Sequence, residues 1–253
     1  VSINVSNVAR YNPNSGTWDG LGGGVSFGGS GGVVFALAVS GNDVYVGGFF
    51  SQAGSVSANN VARYNPNSGT WDDLGGGVSF GGSGGVVFAL AVSGNDVYVG
   101  GFFSQAGSVS ANNVARYNPN SGTWDGLGGG VSFGGSGGQV YALAVSGNDV
   151  YVGGFFSQAG SVSANNVARY NPNNSTWDNL GGGVSFGGSG GEVRALAVSG
   201  NDVYVGGSFS QAGSVSANNV ARYNPNSGTW DDLGGGVFGP VYALAVSGSD
   251  VYV

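Results

Sequence analysis

The eleven-residue stretch VARYNPNSGTW runs from Val8 to Trp18 and returns, almost letter for letter, four more times along the chain. Its arginine and its tryptophan each recur at intervals of 53 residues. The arginines are Arg10, Arg63, Arg116, Arg169 and Arg222, and the tryptophans are Trp18, Trp71, Trp124, Trp177 and Trp230. A period near 50 residues with alternating apolar positions indicates the blades of a β-propeller rather than helical repeats.

Each 53-residue unit contains four strand-like runs, which we name A to D. In one complete unit, A is Val33–Val39, B is Val44–Phe50, C is Asn60–Asn65 and D is Thr70–Leu74. Short polar turns join A to B and C to D, as in β-hairpins, while longer Gly- and Ser-rich loops join B to C and D to A. No segment has helical periodicity, so the sequence predicts an all-β protein built from four-stranded antiparallel blades.

The order of the runs predicts a closed ring of five blades. The chain begins with a C–D hairpin, continues through four complete units and ends with an A–B hairpin, so the terminal hairpins together would supply the fifth blade. Pairing them would remove exposed sheet edges. We therefore expect a monomer with one domain, residues 1–253, made of units 7–59, 60–112, 113–165, 166–218, and 219–253 with 1–6. The alternative is a segment of a longer array.

The composition excludes several classes of function. Six arginines, no lysines and thirteen acidic residues give a net charge of −7, so the chain has no basic surface for nucleic acid. No apolar run approaches the ~20 residues that span a bilayer, so we expect no membrane insertion. The chain lacks His and Cys, which excludes nucleophilic triads and zinc sites built from those residues.

The repeated motif is interpreted as structural. The C–D hairpin places Tyr64 beside Trp71 on one face and Arg63 opposite Asp72 on the other, and we expect the first pair in the core and the second to set strand register. The alternatives are aromatic platforms for sugars and an arginine ring for anionic ligands. In the A–B hairpin, strict alternation predicts that Phe35 shares a face with Gly48.

A Gly-Gly pair at the end of run B, Gly47-Gly48, followed by Tyr64 and, after six intervening residues, by Trp71, resembles the kelch repeat. The wider repeat pattern, VARYNP…TW..LGGGV…V.ALAV.G.DVYVGGFFSQAG, is similar to the kelch-like repeats of fungal cortical polarity markers and related bacterial surface proteins. This resemblance covers essentially the whole chain and implies a propeller, whose fold alone does not determine activity. Some kelch propellers bind proteins, and one branch houses a copper oxidase whose Tyr, His and Cys ligands cannot be assembled here. Five blades would also depart from the six or seven usual for kelch.

The remaining motifs are less specific. Paired acids, Asp72-Asp73 and Asp231-Asp232, occur in two units only, and each SGND turn brings a single carboxylate, too few for a tight calcium site. Asn4-Val5-Ser6 and Asn174-Ser175-Thr176 fit the N-glycosylation pattern. One phenylalanine in each long D–A loop either plugs the core or presents an aromatic surface. These phenylalanines are Phe27, Phe80, Phe133 and Phe186.

The differences between units gather on the side that carries the long loops, at the ends of B and D and the starts of A. Binding residues usually lie on loops held by a rigid scaffold, although exposed loops also tolerate drift. The candidate ligand-facing residues are Asp73, Gln139, Tyr141, Asn179, Glu192, Arg194, Ser208, Asp232 and Tyr242.

These observations predict a non-catalytic module that binds a protein or a glycan through its long-loop side, without cofactor or metal. The alternative is a scaffold with no specific ligand, either recently amplified or engineered, which the near-identity of the units favours. A hydrolase that uses carboxylates is the third hypothesis. The sequence leaves the location open, with an extracellular or cell-surface one favoured.

Overall fold

A computed structural model describes residues 5–29, 31–82, 84–135, 137–187 and 190–253. Within these ranges the regular secondary structure is β-strand, apart from two short 3-10 turns at Leu21–Gly23 and Leu127–Gly129. Four sheets contain four antiparallel strands each, hydrogen-bonded in the order A-B-C-D. The A strands are Val33–Ser40, Val86–Ser93, Gln139–Ser146 and Glu192–Ser199, and the B strands are Asp43–Phe49, Asp96–Phe102, Asp149–Phe155 and Asp202–Ser208. The C strands are Val61–Asn65, Val114–Asn118, Val167–Asn171 and Val220–Asn224, and the D strands are Thr70–Asp72, Thr123–Asp125, Thr176–Asp178 and Thr229–Asp231.

The register of the C–D hairpins confirms the predicted pairs. Tyr64 lies opposite Trp71 and Arg63 opposite Asp72, and the same register holds in all five C–D hairpins of the described residues. The rings of Tyr64 and Trp71 meet with centroids 5.1 Å apart. Both rings are buried, so the aromatic pair belongs to the core. The short turn between strands C and D sets the register, which is why this pairing can be predicted from the sequence.

The A–B hairpin departs from strict alternation. Val34, and not Phe35, lies opposite Gly48, while Ala36 lies opposite Gly47. Phe35 is therefore the extra residue of a β-bulge, with no partner in the ladder. The strict alternation that assigned Phe35 to the face of Gly48 was wrong for this part of the hairpin, because period-2 alternation contains no sign of an inserted residue. The same bulge recurs in the other three complete blades.

The long loops form small sheets that the sequence pattern does not predict. In the first complete unit, Val25–Ser26 of the D–A loop pairs with Gln52–Ala53 of the B–C loop, which pairs in turn with Val56–Ser57. Val25 and Ala53 are fully buried, so the loops contribute to the core. The equivalent strands in the next units are Val78–Ser79, Gln105–Ala106, Val109–Ser110, Val131–Ser132, Gln158–Ala159, Val162–Ser163, Val184–Ser185, Gln211–Ala212 and Val215–Ser216.

A buried asparagine at the start of strand C fastens these loops in place. Asn60, Asn113 and Asn166 are at most 3% exposed. The amide of Asn60 donates to the carbonyl of Val78 at 2.8 Å, and its Oδ1 accepts the backbone N–H of Phe50 at 3.3 Å. All three asparagines hold φ near +65°, a left-handed conformation that asparagine tolerates better than most residues.

The tryptophan of each complete unit donates a hydrogen bond to the unit before it. The indole N–H of Trp71 donates to the carbonyl of Leu21 at 2.8 Å. Leu21 holds φ at +47°, and its own N–H donates to the carboxylate of Asp19 at 2.9 Å. Gly54 lies against the indole so closely that a Cβ there would lie 2.7 Å from Trp71. The equivalent bonds run from Trp124 to Leu74, from Trp177 to Leu127 and from Trp230 to Leu180.

The contacts divide the chain into two compact units, which we call the first half and the second half. The first half is Val1–Ala111 with Ala115–Asp125, and the second half is Asn112–Val114 with Gly126–Val253. Within the first half, Val87 and Leu90 of one A strand pack onto Gly47 of the preceding B strand, where a Cβ would lie 2.5 Å from Val87. Within the second half, Gly153 receives Val193 in the same way. Glycine on strand B therefore lets neighbouring blades approach closely.

The terminal hairpins differ from the prediction. Arg10–Asn12 pairs with Thr17–Asp19, and Ala245–Ser247 pairs with Asp250–Tyr252, as two separate two-stranded sheets. The four-stranded closing blade is therefore absent from the sheets of the described residues. In the complete blades a B–C loop joins the two hairpins and sets their register, whereas no loop links these two.

Candidate functional site

Five of the predicted ligand-facing residues converge in the second half of the chain. They assemble around one guanidinium group, that of Arg194, and we call them the Arg194 cluster. The cluster consists of Gln139, Tyr141, Glu192, Arg194 and Tyr242. The convergence follows from topology, because the contributing segments are the starts of neighbouring A strands and the segment after the last long loop.

The guanidinium of Arg194 is held by one carboxylate and two aromatic rings. Its Nε and Nη2 atoms donate to the two oxygens of Glu192, each at 2.8 Å, which is the bidentate geometry of strong Arg–carboxylate pairs. Its Cζ atom lies 4.4 Å from the ring centre of Tyr141 and 5.7 Å from that of Tyr242, within the range of cation–π attraction. The hydroxyl of Tyr141 donates to Gln139.

The β-bulge explains why these side chains meet. Tyr141 and Arg194 both occupy the bulge position of strand A, where the register of the ladder shifts between their neighbours. Bulges commonly re-aim side chains next to functional sites. In the first half the same position carries Phe35 and Phe88, whose ring centroids lie 5.4 Å apart. The backbone thus brings this position of neighbouring blades together, and the residue type decides what chemistry results.

The Arg194 cluster is partly open to solvent. The Arg194 side chain is 34% exposed, and the ring of Tyr242 is 67% exposed. The hydrogen bonds to Glu192 raise the pKa of the Arg194 guanidinium, so its charge is retained at every physiological pH. Burial raises the pKa of the Tyr141 hydroxyl, and the nearby Arg194 charge opposes this effect. The cluster therefore offers a permanently charged planar donor between two aromatic faces.

Three other candidates cap local turns and lie outside the cluster. The carboxylate of Asp73 accepts the N–H of Gly75 at 3.1 Å, and Asp232 accepts that of Gly234 at the same distance. Asn179 accepts the N–H of Gly182 at 3.3 Å. Short polar side chains commonly hydrogen-bond the backbone two or three residues further on, and this local role explains why the position after strand D tolerates Asp and Asn.

Ser208 occupies the end of a B strand, opposite Glu192 in the ladder. In the three earlier units the same position carries Phe49, Phe102 and Phe155. Phe49 stacks on Phe27 of the D–A loop, with ring centroids 4.5 Å apart. The loop phenylalanine is 41% exposed, so it forms a stacked surface pair rather than a plug in the core. Sequence reasoning left these two possibilities open.

The repeated arginine has two acidic partners. Arg63 lies 3.2 Å from Asp72, as predicted, and 3.6 Å from Asp43 of the SGND turn, which the sequence analysis did not assign to it. Arg116, Arg169 and Arg222 repeat the arrangement. Two carboxylates beside each guanidinium give the group a net negative charge, which argues against an arginine ring for anionic ligands. The turn carboxylates are likewise engaged by arginine, and the described residues contain no group of three or more potential metal-ligating side chains.

Of the two glycosylation patterns, the one at Asn4 lies outside the described residues. Asn174 is exposed in a C–D turn, where its Oδ1 accepts the backbone N–H of Thr176 at 3.2 Å and the Thr176 hydroxyl at 2.6 Å.

Among the described segments, no helix has the length and apolar character needed to cross a membrane.

Comparisons with known proteins agree with this architecture. A family model described as the Rax2 C-terminal β-propeller domain matches residues 184–252. A second, described as a domain of unknown function (DUF5122) β-propeller, matches residues 42–72, 95–125 and 148–179, each of which runs from strand B through strand D. Each family model matches less than half of the chain. A comparison with curated proteins found no match.

Two solved structures are similar to the chain. The crystal structure of the computationally designed Ika8 protein has a TM-score of 0.50 and 20% sequence identity, and the alignment covers 90% of this chain and 69% of that one. The computationally designed Ika4 protein has a TM-score of 0.46 and 21% identity, over 79% of this chain and 96% of that one. At this identity the likeness to Ika8 bears on the fold alone. The repeated four-stranded sheets and the two propeller family models together identify the chain as a repeat β-propeller.

Proposed function

We propose that the chain is a non-catalytic binding module whose ligand, a protein or a glycan, contacts the Arg194 cluster. The observation that supports the proposal is the convergence of residues that differ between otherwise near-identical units. Gln139, Tyr141, Glu192, Arg194 and Tyr242 come from three units: Glu192 and the two tyrosines contact the Arg194 guanidinium, and Gln139 joins through Tyr141. Drift of exposed loops would scatter substitutions and would not place an Arg–Glu pair between two tyrosine rings.

The chemistry of the cluster favours a ligand with polar groups around a flat surface. The pair with Glu192 uses two of the five N–H donors of the guanidinium. Aromatic rings with a nearby charged donor recur in hot spots of protein interfaces and in ligand pockets. The exposed ring of Tyr242 offers a face on which a sugar ring or a peptide side chain can stack. No side chain of the cluster forms a nucleophile–base pair, which is why we propose binding without catalysis.

The test compares two double variants at the same strand position. Y141A/R194A removes the cluster, whereas F35A/F88A removes the equivalent ring pair of the first half. We expect the wild-type chain to bind members of a glycan array or candidate surface proteins, and titration to show affinity at least about tenfold lower for Y141A/R194A only. Equal loss in both variants, or no binding by the wild type, would contradict the proposal.

The second candidate is a scaffold without a specific ligand. The near-identity of the units favours it, since one unit differs from the next at a single position over 53 residues. Absence of binding in the array, combined with unchanged stability of Y141A/R194A, would support this alternative.

We also propose that the ring has five blades and belongs to the kelch-like group. The spacing of Gly47-Gly48, Tyr64 and Trp71 supports the second point. For the first, Trp18 is 52% exposed in the terminal hairpin, whereas Trp71 in a complete blade is 8% exposed, so pairing of the terminal hairpins would bury apolar surface.

Closure can be tested with a disulfide, since the chain has no cysteine. By analogy with the Val46–Ala62 pair of a complete blade, Ala9 and Val253 would face each other in a closing blade. The variant A9C/V253C should oxidise to an intramolecular disulfide, with light scattering showing a monomer. Crosslinking between chains, or none, would refute a closed five-bladed monomer.

A further inference from the structure

Stacked phenylalanine pairs mark the long-loop side of three consecutive units. In each, a D–A loop ring lies against a ring at the end of strand B, with centroids 4.5–4.6 Å apart and planes within 27° of parallel. The pairs are Phe27 with Phe49, Phe80 with Phe102, and Phe133 with Phe155. The loop rings of these pairs are 37–41% exposed. Each pair is therefore a small aromatic sandwich at the surface.

The fourth unit retains the loop ring but lacks its partner. Ser208 replaces phenylalanine at the end of strand B, yet it occupies the same ladder position, opposite Glu192, as Phe49 occupies opposite Val33. The backbone is thus unchanged and only the ring is missing. Phe186, the loop ring, is 59% exposed as a result.

A groove occupies the space beside Phe186. It has a volume of about 510 Å³ and is lined by Phe186, Ser208, Phe238 and Pro240 among others, and an adjoining hollow of about 300 Å³ lies between Phe186, Ser208 and Glu192. These volumes fall within or at the edge of the range for small-molecule sites. The last D–A loop, which is five residues shorter than the others, forms the far wall of the groove.

Hydrogen bonds hold that wall in position. The amide of Asn218 donates to the carbonyl of Gly235 at 2.9 Å, and the amide of Asn219 donates to the carbonyl of Val237 at 3.0 Å. Phe238 projects fully into solvent at the rim. The groove is therefore preformed: two exposed rings and a proline give it an apolar lining, and Ser208 and Glu192 supply polar groups at one edge.

We propose that this groove binds a small ligand through one aromatic ring, which stacks on Phe186 in the place that phenylalanine occupies in the other units. The intramolecular pairs show what the site accepts, because they fill the same ladder position with a six-membered aromatic ring at stacking distance. Ser208 and Glu192 can hydrogen-bond a hydroxyl on that ring, so a phenol fits better than benzene. The inference goes beyond the proposed function, since the stacking does not involve the Arg194 guanidinium.

The experiment measures binding of p-cresol by saturation-transfer difference NMR and titration. For a ligand of this size we expect a dissociation constant on the order of 1 mM. S208F restores the residue of the other units, so it is expected to fold, and it should reduce the saturation transfer at least about tenfold by filling the site. S208A keeps the hollow and should retain affinity within about threefold, the loss of one hydrogen bond.

Two further measurements make the outcome decisive. F49S in the first half should add a second, weaker site, because it unstacks Phe27 in the same way. Failure of the binding test at the Arg194 cluster would not affect this one, because the stacking on Phe186 does not involve that guanidinium. Equal saturation transfer in the wild type and S208F would overturn the inference, as would equal affinity for cyclohexylmethanol, which has a hydroxyl but no aromatic ring.

Discussion

Replacing the buried Asn166 with alanine should destabilise the protein strongly. The Asn166 side chain donates to the carbonyl of Val184 at 2.8 Å and accepts the N–H of Phe156 at 3.2 Å, and the residue is 3% exposed. Alanine would leave two buried backbone groups without partners, at about 1–3 kcal/mol each. It would also hold the φ of +64° without the side-chain bonds that favour it, at about 1 kcal/mol. We expect N166A to lower the free energy of unfolding by about 3–7 kcal/mol.

The chain offers a matched control for this variant. Asn7 stands at the equivalent position of the first unit and holds nearly the same φ, +66°, but it is exposed and donates one hydrogen bond, to the carbonyl of Val25. N7A should therefore cost only about 1–2 kcal/mol. N166G removes the same hydrogen bonds as N166A without the left-handed strain, although glycine loses more conformational entropy on folding. On balance N166G should be about 1 kcal/mol less destabilising than N166A.

Equilibrium unfolding in urea, followed by tryptophan fluorescence and far-UV circular dichroism, measures these differences. The two signals should be compared, because repeat proteins can unfold in more than one step. If N166A and N7A lower the free energy of unfolding equally, or if N166A costs less than about 1 kcal/mol, the buried hydrogen bonds do not hold the loops as we argue.

Two further predictions concern the contacts of the tryptophan between units, and a third concerns the tyrosines. G160A places a Cβ 2.7 Å from Trp177 at a φ of +54° and should cost about 2–4 kcal/mol in urea unfolding, whereas G147A, at a similar φ with open space around it, should cost only about 1 kcal/mol. W177F removes the buried indole hydrogen bond to the carbonyl of Leu127 and should lower the thermal midpoint, while W18F, in the half-exposed terminal hairpin, should leave it nearly unchanged. Stability should fall above about pH 10, because burial raises the tyrosine pKa values in the folded state, so deprotonation favours the unfolded chain. An unchanged urea midpoint up to pH 11.5, with tyrosine ionisation followed at 295 nm, would contradict the last prediction. The tyrosines concerned are Tyr45, Tyr117, Tyr141, Tyr151 and Tyr223.

The features that were predictable from the sequence are those set by local turns. A four-residue turn between strands C and D fixes the pairing of Tyr64 with Trp71 and of Arg63 with Asp72. The bulge at Phe35 was not predictable, because an inserted residue leaves the apolar pattern intact. The second carboxylate of Arg63 was also missed, since Asp43 reaches it from another hairpin. Pairing of the terminal hairpins involves no local turn, and the structure does not contain it.

The candidate site was predictable in part for a similar reason. Differences between units identified Tyr141 and Arg194, and the bulge brings them together. The same criterion selected Asp73, whose carboxylate serves its own turn instead. Variation marks positions that are free to change, and only the fold shows which of them meet. The groove beside Ser208 required a further fact, the stacking of phenylalanines in the other units, which no spacing in the sequence reveals.

The hydrogen bond from Trp71 to Leu21 has a consequence for how such a gene can change length. Every complete unit makes this bond over the same separation of 50 residues, so the donor in one unit finds its acceptor in the unit before it. Recombination that inserts or removes one whole 53-residue segment recreates the bond at the new junction, wherever the breakpoints fall. A shift by a length that is not a multiple of 53 residues would separate an indole from its acceptor carbonyl. Unequal crossing-over in steps of one unit is therefore the change in length that the bonding pattern between repeats tolerates.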